Sequence, residues 1–365
     1  MVGATLALMA DEQGALPLPW LQAPLQEALL QHRGHALLVH GSAGVGALPF
    51  ALTLAQAWLC ESAGIAGAAG GVANGNSGQR KPCGHCGSCK LVRTHLHPDL
   101  TVLMPETLRR AHDWPLADDK VEGEDSKKKP SKQIRIGEVR GLIDWSTKTT
   151  ARGQGKVAVI HPADVLNLQA ANALLKTLEE PAPGTRLLLT TADPALLLPT
   201  VRSRCQSMVL PTPATDVATQ WLASQGLQQP QVLLAACSGR PLDALNLSAD
   251  GVSAETWAAL PQLVAAGRAS ALSGWSIPRA LDALHKLCHD AMAAASGASP
   301  RYFPKVTMAR NAGPRALEKL TVWLAELDRV ARHDEHPWNE GLLLEALVQQ
   351  GAVALRAELA STSSR

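Results

Sequence analysis

The sequence predicts an α/β domain built on a parallel sheet, followed by an all-helical half. Three observations carry this expectation. Short apolar runs at 35–39, 156–160 and 187–191 alternate with helix-length segments, the pattern of strands joined by right-handed crossovers. Beyond Pro211 such runs vanish, and Leu317, Leu320, Leu324 and Leu327 recur at steps that line one face of a helix. Phe and Tyr together number only three, so the cores must be Leu, Ala and Val, which favours helices over an all-β fold.

A chain of 365 residues has room for two or three domains. The net charge of +2 lacks the basic excess of a protein that grips DNA alone, so any DNA contact is local or shared with partners. No apolar run is long enough to span a membrane, and the N-terminus lacks a basic segment leading into an apolar one. Seven cysteines, four of them clustered or nearly so, suit a metal in a reducing compartment better than disulfides. The expectation is a cytoplasmic protein with no membrane association.

Taken in order, the segment from His35 to Val39 reads as a strand. A glycine-rich turn follows, and then a helix from Leu48 to Leu59. Residues 61–80 are almost all Gly, Ala, Ser and Asn and read as a flexible insertion. The mixed charges of 106–132 read as a solvated loop, with a DNA-contacting patch as the second reading. A helix is expected from Gly137 to Lys148, a buried strand from Lys156 to Ile160, and a helix from Leu168 to Glu180 stopped by Pro181. Leu187 to Thr191 is the next strand.

Two elements suggest a nucleotide site without its chemistry. The phosphate-loop pattern G-x-x-x-x-G-K-[ST] has its frame in Gly41, Gly44 and Gly46, but Ala47 and Leu48 stand where Lys and Ser/Thr belong. The cation for the β/γ-phosphates and the hydroxyl for Mg²⁺ are both missing. A tight strand-to-helix turn with no ligand would look the same. The buried strand ending at Ile160 leads into His161-Pro162, where an acidic pair would hold Mg²⁺ and position water. Asp164 comes three residues late and reads as a helix cap.

Cys83, Cys86 and Cys89 form two consecutive C-x-x-C steps, which gather three thiolates around one point. Tetrahedral Zn²⁺ needs a fourth ligand. Cys60 is the first candidate, with His85, His95 and His97 as alternates. An iron–sulfur cluster would want another Cys shortly downstream followed by Pro, and none is there. Four protein ligands leave no open position, so the role is structural. Cys237 and Cys288 fall in helical patterns and read as core. Arg204, in Ser203-Arg204-Cys205, is by itself an ordinary loop arginine. In nucleotide-driven rings an Arg so placed reaches a neighbour's γ-phosphate.

Several stretches together resemble one family. They are the run Ala171 to Pro181 (ANALLKTLEEP), Ser203-Arg204-Cys205, the cysteines inserted after the loop helix, and His336-Pro337-Trp338-Asn339 leading into Leu342 to Leu347. This combination resembles the AAA+ clamp-loader subunits of bacterial DNA polymerase III, of the delta-prime type. The resemblance implies a RecA-like AAA+ domain with a zinc insertion over 1–212, a helical lid over 213–252 and a helical collar over 253–365. It implies that Cys60, Cys83, Cys86 and Cys89 bind structural Zn²⁺ and that 41–48 is a defunct phosphate loop. Arg204 becomes the finger offered to an adjacent subunit's ATP, and Arg240 takes the place of a second sensor arginine.

The chain would then neither hydrolyse ATP nor polymerise. It would sit in a hetero-oligomeric ring with ATP-hydrolysing subunits and a delta subunit, helping load a sliding clamp onto primer–template DNA. The glycine/alanine-rich and charged insertions depart from compact members. The alternatives are a stand-alone zinc-containing nucleic-acid-binding protein on a degenerate ATPase fold, and a working ATPase with an atypical loop.

Overall fold

The computed structural model describes residues 7–62, 81–115, 130–304, 314–332 and 339–359. The expected insertions therefore fall partly outside the described residues, at 63–80 and 116–129, as do His336, Pro337 and Trp338. The chain divides into two compact units between Pro213 and Ala214.

The apolar runs become the interior strands of a five-stranded parallel sheet. β1 (Ala36–His40), β3 (Lys156–Ile160) and β4 (Thr185–Thr191) are buried along nearly their whole length. Sheets covered on both faces need such continuous apolar strands. β2 (Leu100–Leu103) and β5 (Gln206–Val209) complete the order β2-β3-β4-β1-β5. The register pairs Leu38 with Leu189 and Ile160 with Leu189, fixing the inward set. β5 is largely exposed along its length, and β2 is buried only toward its end. β5 lacks the apolar signature of the interior three, and β2 (Leu-Thr-Val-Leu) is apolar but only four residues long; neither is among the strands expected from the sequence.

One face of the sheet presents Leu38, Ile160, Leu187 and Leu189 to α5 (Ile136–Thr147) and α6 (Leu168–Glu179), which add Val139, Leu142, Leu174 and Leu178. The alternate side chains point to the other face. α2 (Ala47–Leu59) also packs on β1, β3 and β4, and almost every one of its residues is buried. The remaining helices of this unit are α1 (Gln22–Gln31), α3 (Gly87–Arg93), α4 (Glu106–Ala111) and α7 (Pro199–Arg202).

Two expectations need correction. The charged run at 106–132 is not a loop throughout, since its first residues form α4. There Arg109 is buried, donating to the carbonyls of Val102, Met104 and Pro115 at 2.8–3.2 Å. Three backbone acceptors satisfy the guanidinium, which composition alone cannot reveal. Asp164 is not a helix cap. It lies in a short 3-10 turn, Ala163–Val165, and its carboxylate accepts from Thr191 Oγ1 at 2.8 Å, tying the turn after β3 to the end of β4.

The second unit is helical: α8 (Thr215–Ser224), α9 (Pro230–Ala236), α10 (Pro241–Ala249), α11 (Ala254–Ala265), α12 (Ile277–Ala295), α13 (Pro314–Ala331) and α14 (Glu340–Leu359). On α13, Leu320 and Leu327 are fully buried and Leu317 and Leu324 half-buried, as their spacing predicts. Trp323 donates its indole N–H to Leu347 O at 3.0 Å. Its ring lies against Gly351, where a Cβ would come within 2.5 Å of it, so α14 needs a glycine at that crossing. Cys237 and Cys288 are buried, as expected.

The polar centre of this unit is Asp290 on α12, which is 0% exposed. Its carboxylate accepts from the backbone N–H groups of Arg301, Tyr302 and Phe303 at 2.7–2.9 Å. Those bonds hold Phe303 stacked on Trp257, whose Nε1–H donates to Tyr302 O. Asp290→Ala leaves these amides without their acceptor, and we expect it to cost about 3 kcal/mol of folding stability. Urea denaturation reads this directly, and a loss below about 1 kcal/mol would mean the turn is held by its aromatic packing alone.

Candidate functional site

Parallel strands deliver their C-terminal ends to one edge of the sheet, and the loops leaving β1 and β3 meet there. After β1 the chain turns through Gly41–Gly46. Gly41 packs so closely on Leu210 O that a Cβ would collide with it. Gly46 caps α2 with φ 101°, a left-handed backbone suited to glycine. Ala47 is the first helical residue, and Leu48 is only 3% exposed, turned into the core. Trp20 donates its Nε1–H to Val45 O at 2.8 Å, so one loop carbonyl is occupied from within the chain.

At the end of β3, His161 is joined to Pro162 by a cis peptide bond. Its Nδ1 lies 2.6 Å from Thr190 Oγ1, and burial pushes the imidazole pKa down to about 4. A neutral ring therefore stands at the end of β3. Among the described residues near this strand end, Asp164 is committed to Thr191 rather than turned toward the loop. Ala47 and Leu48 thus bring neither a cation nor a hydroxyl to the head of α2.

The cysteines converge. Cys60 is the C-cap of α2, and Cys86 is the N-cap of α3, whose first turn holds Cys89. The four Sγ atoms of Cys60, Cys83, Cys86 and Cys89 lie within 4.8 Å of one another. Sγ of Cys60 and Cys86 are 3.9 Å apart, as are those of Cys83 and Cys89. Two thiolates on one tetrahedral Zn²⁺ with bonds of about 2.3 Å would be separated by about 3.8 Å. The donor set and its spacing therefore fit a four-thiolate metal centre.

Backbone N–H groups of Cys83, Cys86 and Cys89 point at Sγ of Cys60, Cys83 and Cys86 at 3.3–3.4 Å, bonds that favour thiolate over thiol. Gly84, at φ +81°, makes the tight turn possible, and a Cβ there would strike Asp11 O. The alternate ligands stay outside the group. His85 bonds Cys83 O, His95 stacks on Trp114, and His97 bridges Ser88 Oγ and Asp99 N.

An outer ring of polar groups ties this centre to the sheet. Ser88 Oγ donates to Glu61 Oε1 at 2.9 Å, and Arg152 Nε donates to the same oxygen at 2.8 Å. The Arg152 guanidinium holds the Glu61 carboxyl below its usual pKa. Asp99, fully buried just before β2, accepts from the amides of Ala151 and Arg152. Glu61, Ser88, Asp99 and Arg152 were not singled out from the sequence. Nothing in their spacing marks them, because they meet only after β2 and β3 pair.

Arg204 follows α7 and precedes β5. Its Nε and Nη2 both donate to Glu179 Oε1, the former at 2.7 Å, and its Nη1 donates to Thr200 O at 2.9 Å. Glu179 is the last residue of α6, so the ANALLKTLEEP run and the Ser-Arg-Cys motif, distant in sequence, meet at this ion pair. Arg240 lies in the second unit at the N-cap of α10. There its Nε bonds Cys237 O and pairs with Asp243 Oδ2 at 2.8 Å.

Comparisons with known proteins agree with this frame. A family model described as "DNA polymerase III, delta subunit" matches residues 21–214, more than half of the chain. The DNA polymerase III subunit delta' of Pseudomonas aeruginosa is 35% identical over 240 residues, 64% of this chain and 62% of that protein. The same subunit of Escherichia coli is 30% identical over 236 residues, 63% of this chain and 60% of its own length. The match to each relative thus covers less than two thirds of that protein. The tau subunit of Escherichia coli is 30% identical over 171 residues, 47% of this chain and 20% of its own. A gamma subunit-related protein of Thermotoga maritima overlays with a TM-score of 0.45 at 15% identity, covering 92% of this chain and 99% of that one. No helix among the described residues is long and apolar enough to cross a membrane. With the family model spanning the whole sheet domain and its cysteine insertion, the chain belongs to the delta' family of DNA polymerase III clamp-loader subunits.

Proposed function

We propose that this chain is a non-hydrolysing member of a clamp-loading ring, completing a neighbour's ATP site with Arg204 while its own site is inactive. One observation carries the reading. Leu48 and a neutral His161 occupy the positions of the hydroxyl and the acid, yet an arginine remains at the surface beyond β4. A guanidinium there would stabilise charge developing on the transferred phosphoryl group of an adjacent subunit. ATP-hydrolysing subunits and a delta subunit would share the ring, which would open a sliding clamp and place it on primed DNA in the cytoplasm. Residues 213–252 would form the lid, with Arg240 at its sensor position, and 253–365 the collar.

Cys60, Cys83, Cys86 and Cys89 would hold Zn²⁺ as a closed structural site, where the ion joins the end of α2 to the start of α3 and offers no position for substrate. Metal analysis of the purified chain should find about one zinc per molecule. Cys60→Ser should lower that content and the melting temperature together. Unchanged zinc and stability in the variant would remove Cys60 from the ligand set.

The purified chain should show no steady-state ATP hydrolysis. Restoring the loop with Ala47→Lys and Leu48→Thr should leave it inactive, because His161-Pro162 still supplies no carboxylate. Turnover by the wild-type chain, measured as phosphate release, would refute the inactive-site reading.

Arg204→Ala should leave the chain folded, zinc-loaded and able to assemble, while lowering DNA-stimulated ATPase and clamp loading by the reconstituted complex. Loss of such a finger costs roughly 10³–10⁵ in rate at the site it serves, so the loss across several sites will be partial. Arg204→Lys should be nearly as impaired, since an ammonium lacks the planar fork. Full activity of the complex with Arg204→Ala would sink the finger assignment and leave Arg204 its bonds to Glu179 and Thr200 alone.

A further inference from the structure

We infer that Glu179 is a positioning residue for Arg204, setting the direction in which its guanidinium faces a neighbouring phosphate. The inference rests on the finger reading above. A guanidinium carries five N–H groups in a rigid plane. Nε and Nη2, which share one edge, both donate to Glu179 Oε1, and Nη1 donates once to Thr200 O. Two N–H groups are left over, one on Nη1 and one on Nη2. Paired donors on these two nitrogens can engage two oxygens of a phosphate at once. Glu179 thus takes the Nε–Nη2 edge and leaves one N–H on each terminal nitrogen for a phosphate.

Both acceptors stand on anchored elements. Glu179 ends α6, which is held to the sheet by Leu174 and Leu178, and Thr200 belongs to α7, which packs against α6. A long arginine side chain with freedom at every torsion would rarely point one way. Fixed at three of its N–H groups, it presents the remaining two in one orientation before any ligand arrives. The pair is half-exposed, with Arg204 at 33% and Glu179 at 49%, and exposed ion pairs contribute little to folding. Its value therefore lies in geometry rather than stability. Glu180, next in sequence and also exposed, forms no hydrogen bond or ion pair with Arg204 and serves as the internal control.

The test is a reconstituted complex containing the full chain with Glu179→Gln, Glu180→Gln, Arg204→Ala or the Glu179→Gln/Arg204→Ala pair. Glu179→Gln should lower DNA-stimulated turnover by about tenfold at the affected site with little change in KM for ATP, because a misplaced fork affects the transition state more than binding. Glu180→Gln should match the wild type, and all four chains should melt alike and carry the same zinc. In the Arg204→Ala background Glu179→Gln should have no further effect, a non-additivity that a merely structural residue would not produce.

If Arg204→Ala alone leaves turnover unchanged, the finger reading is lost and this inference with it. If Arg204→Ala impairs turnover while Glu179→Gln does not, the finger stands and the positioning role falls. A rise in turnover on Glu179→Gln would make the carboxylate a restraint on the finger and overturn the proposal, as would losses that simply multiply in the paired variant.

Discussion

In β1, β3 and β4 side chains exclude water from both faces, so every backbone N–H and C=O must find its partner within the sheet. Parallel pairing in fixed register meets that requirement here, and parallel neighbours need crossover connections, usually through a helix. The consequences reach the surface. Loops leaving these strands reach the same edge of the sheet whatever residues they contain. Gly41 against Leu210 O and Gly46 at the head of α2 are kept by packing and backbone geometry, which hold with or without a ligand.

How much could be read in advance follows from the same physics. The interior strands and α2, α5 and α6 were legible because double-sided burial writes itself as apolar runs and helical spacing. β5 was not, since Gln206 to Val209 are largely exposed, and β2 is an apolar run too short to stand out from its surroundings. α4 was hidden because its arginine is buried by backbone carbonyls, an arrangement set by tertiary contacts rather than by local composition. Asp164 reads as a helix cap in the sequence alone, but Thr191, far along the chain, donates to its carboxylate.

The candidate site divides in the same way. The cysteine spacing announced three ligands, and the structure brings Cys60 to them while sending His85, His95 and His97 elsewhere. The ring of Glu61, Ser88, Asp99 and Arg152 left no trace in the spacing because its members come from four separate segments. Glu179 is the intermediate case. It stood in a stretch already quoted for its resemblance, but only the meeting of α6 with the turn after α7 gives its carboxylate something to hold.

The cysteine centre also changes what the chain can tolerate. Cys60 lies at the last turn of α2 and Cys83 shortly before α3, and Sγ of Cys60 accepts from the amide of Cys83. Glu61 and Ser88 clasp the same two ends a second time. These bonds join described residues on either side of 63–80. Lengthening a loop whose ends are already joined adds little to the entropy of closing it, which grows only with the logarithm of length. The stretch between these ends is thus a place where residues can be gained or lost across generations while β2 keeps its register, a built-in margin for divergence.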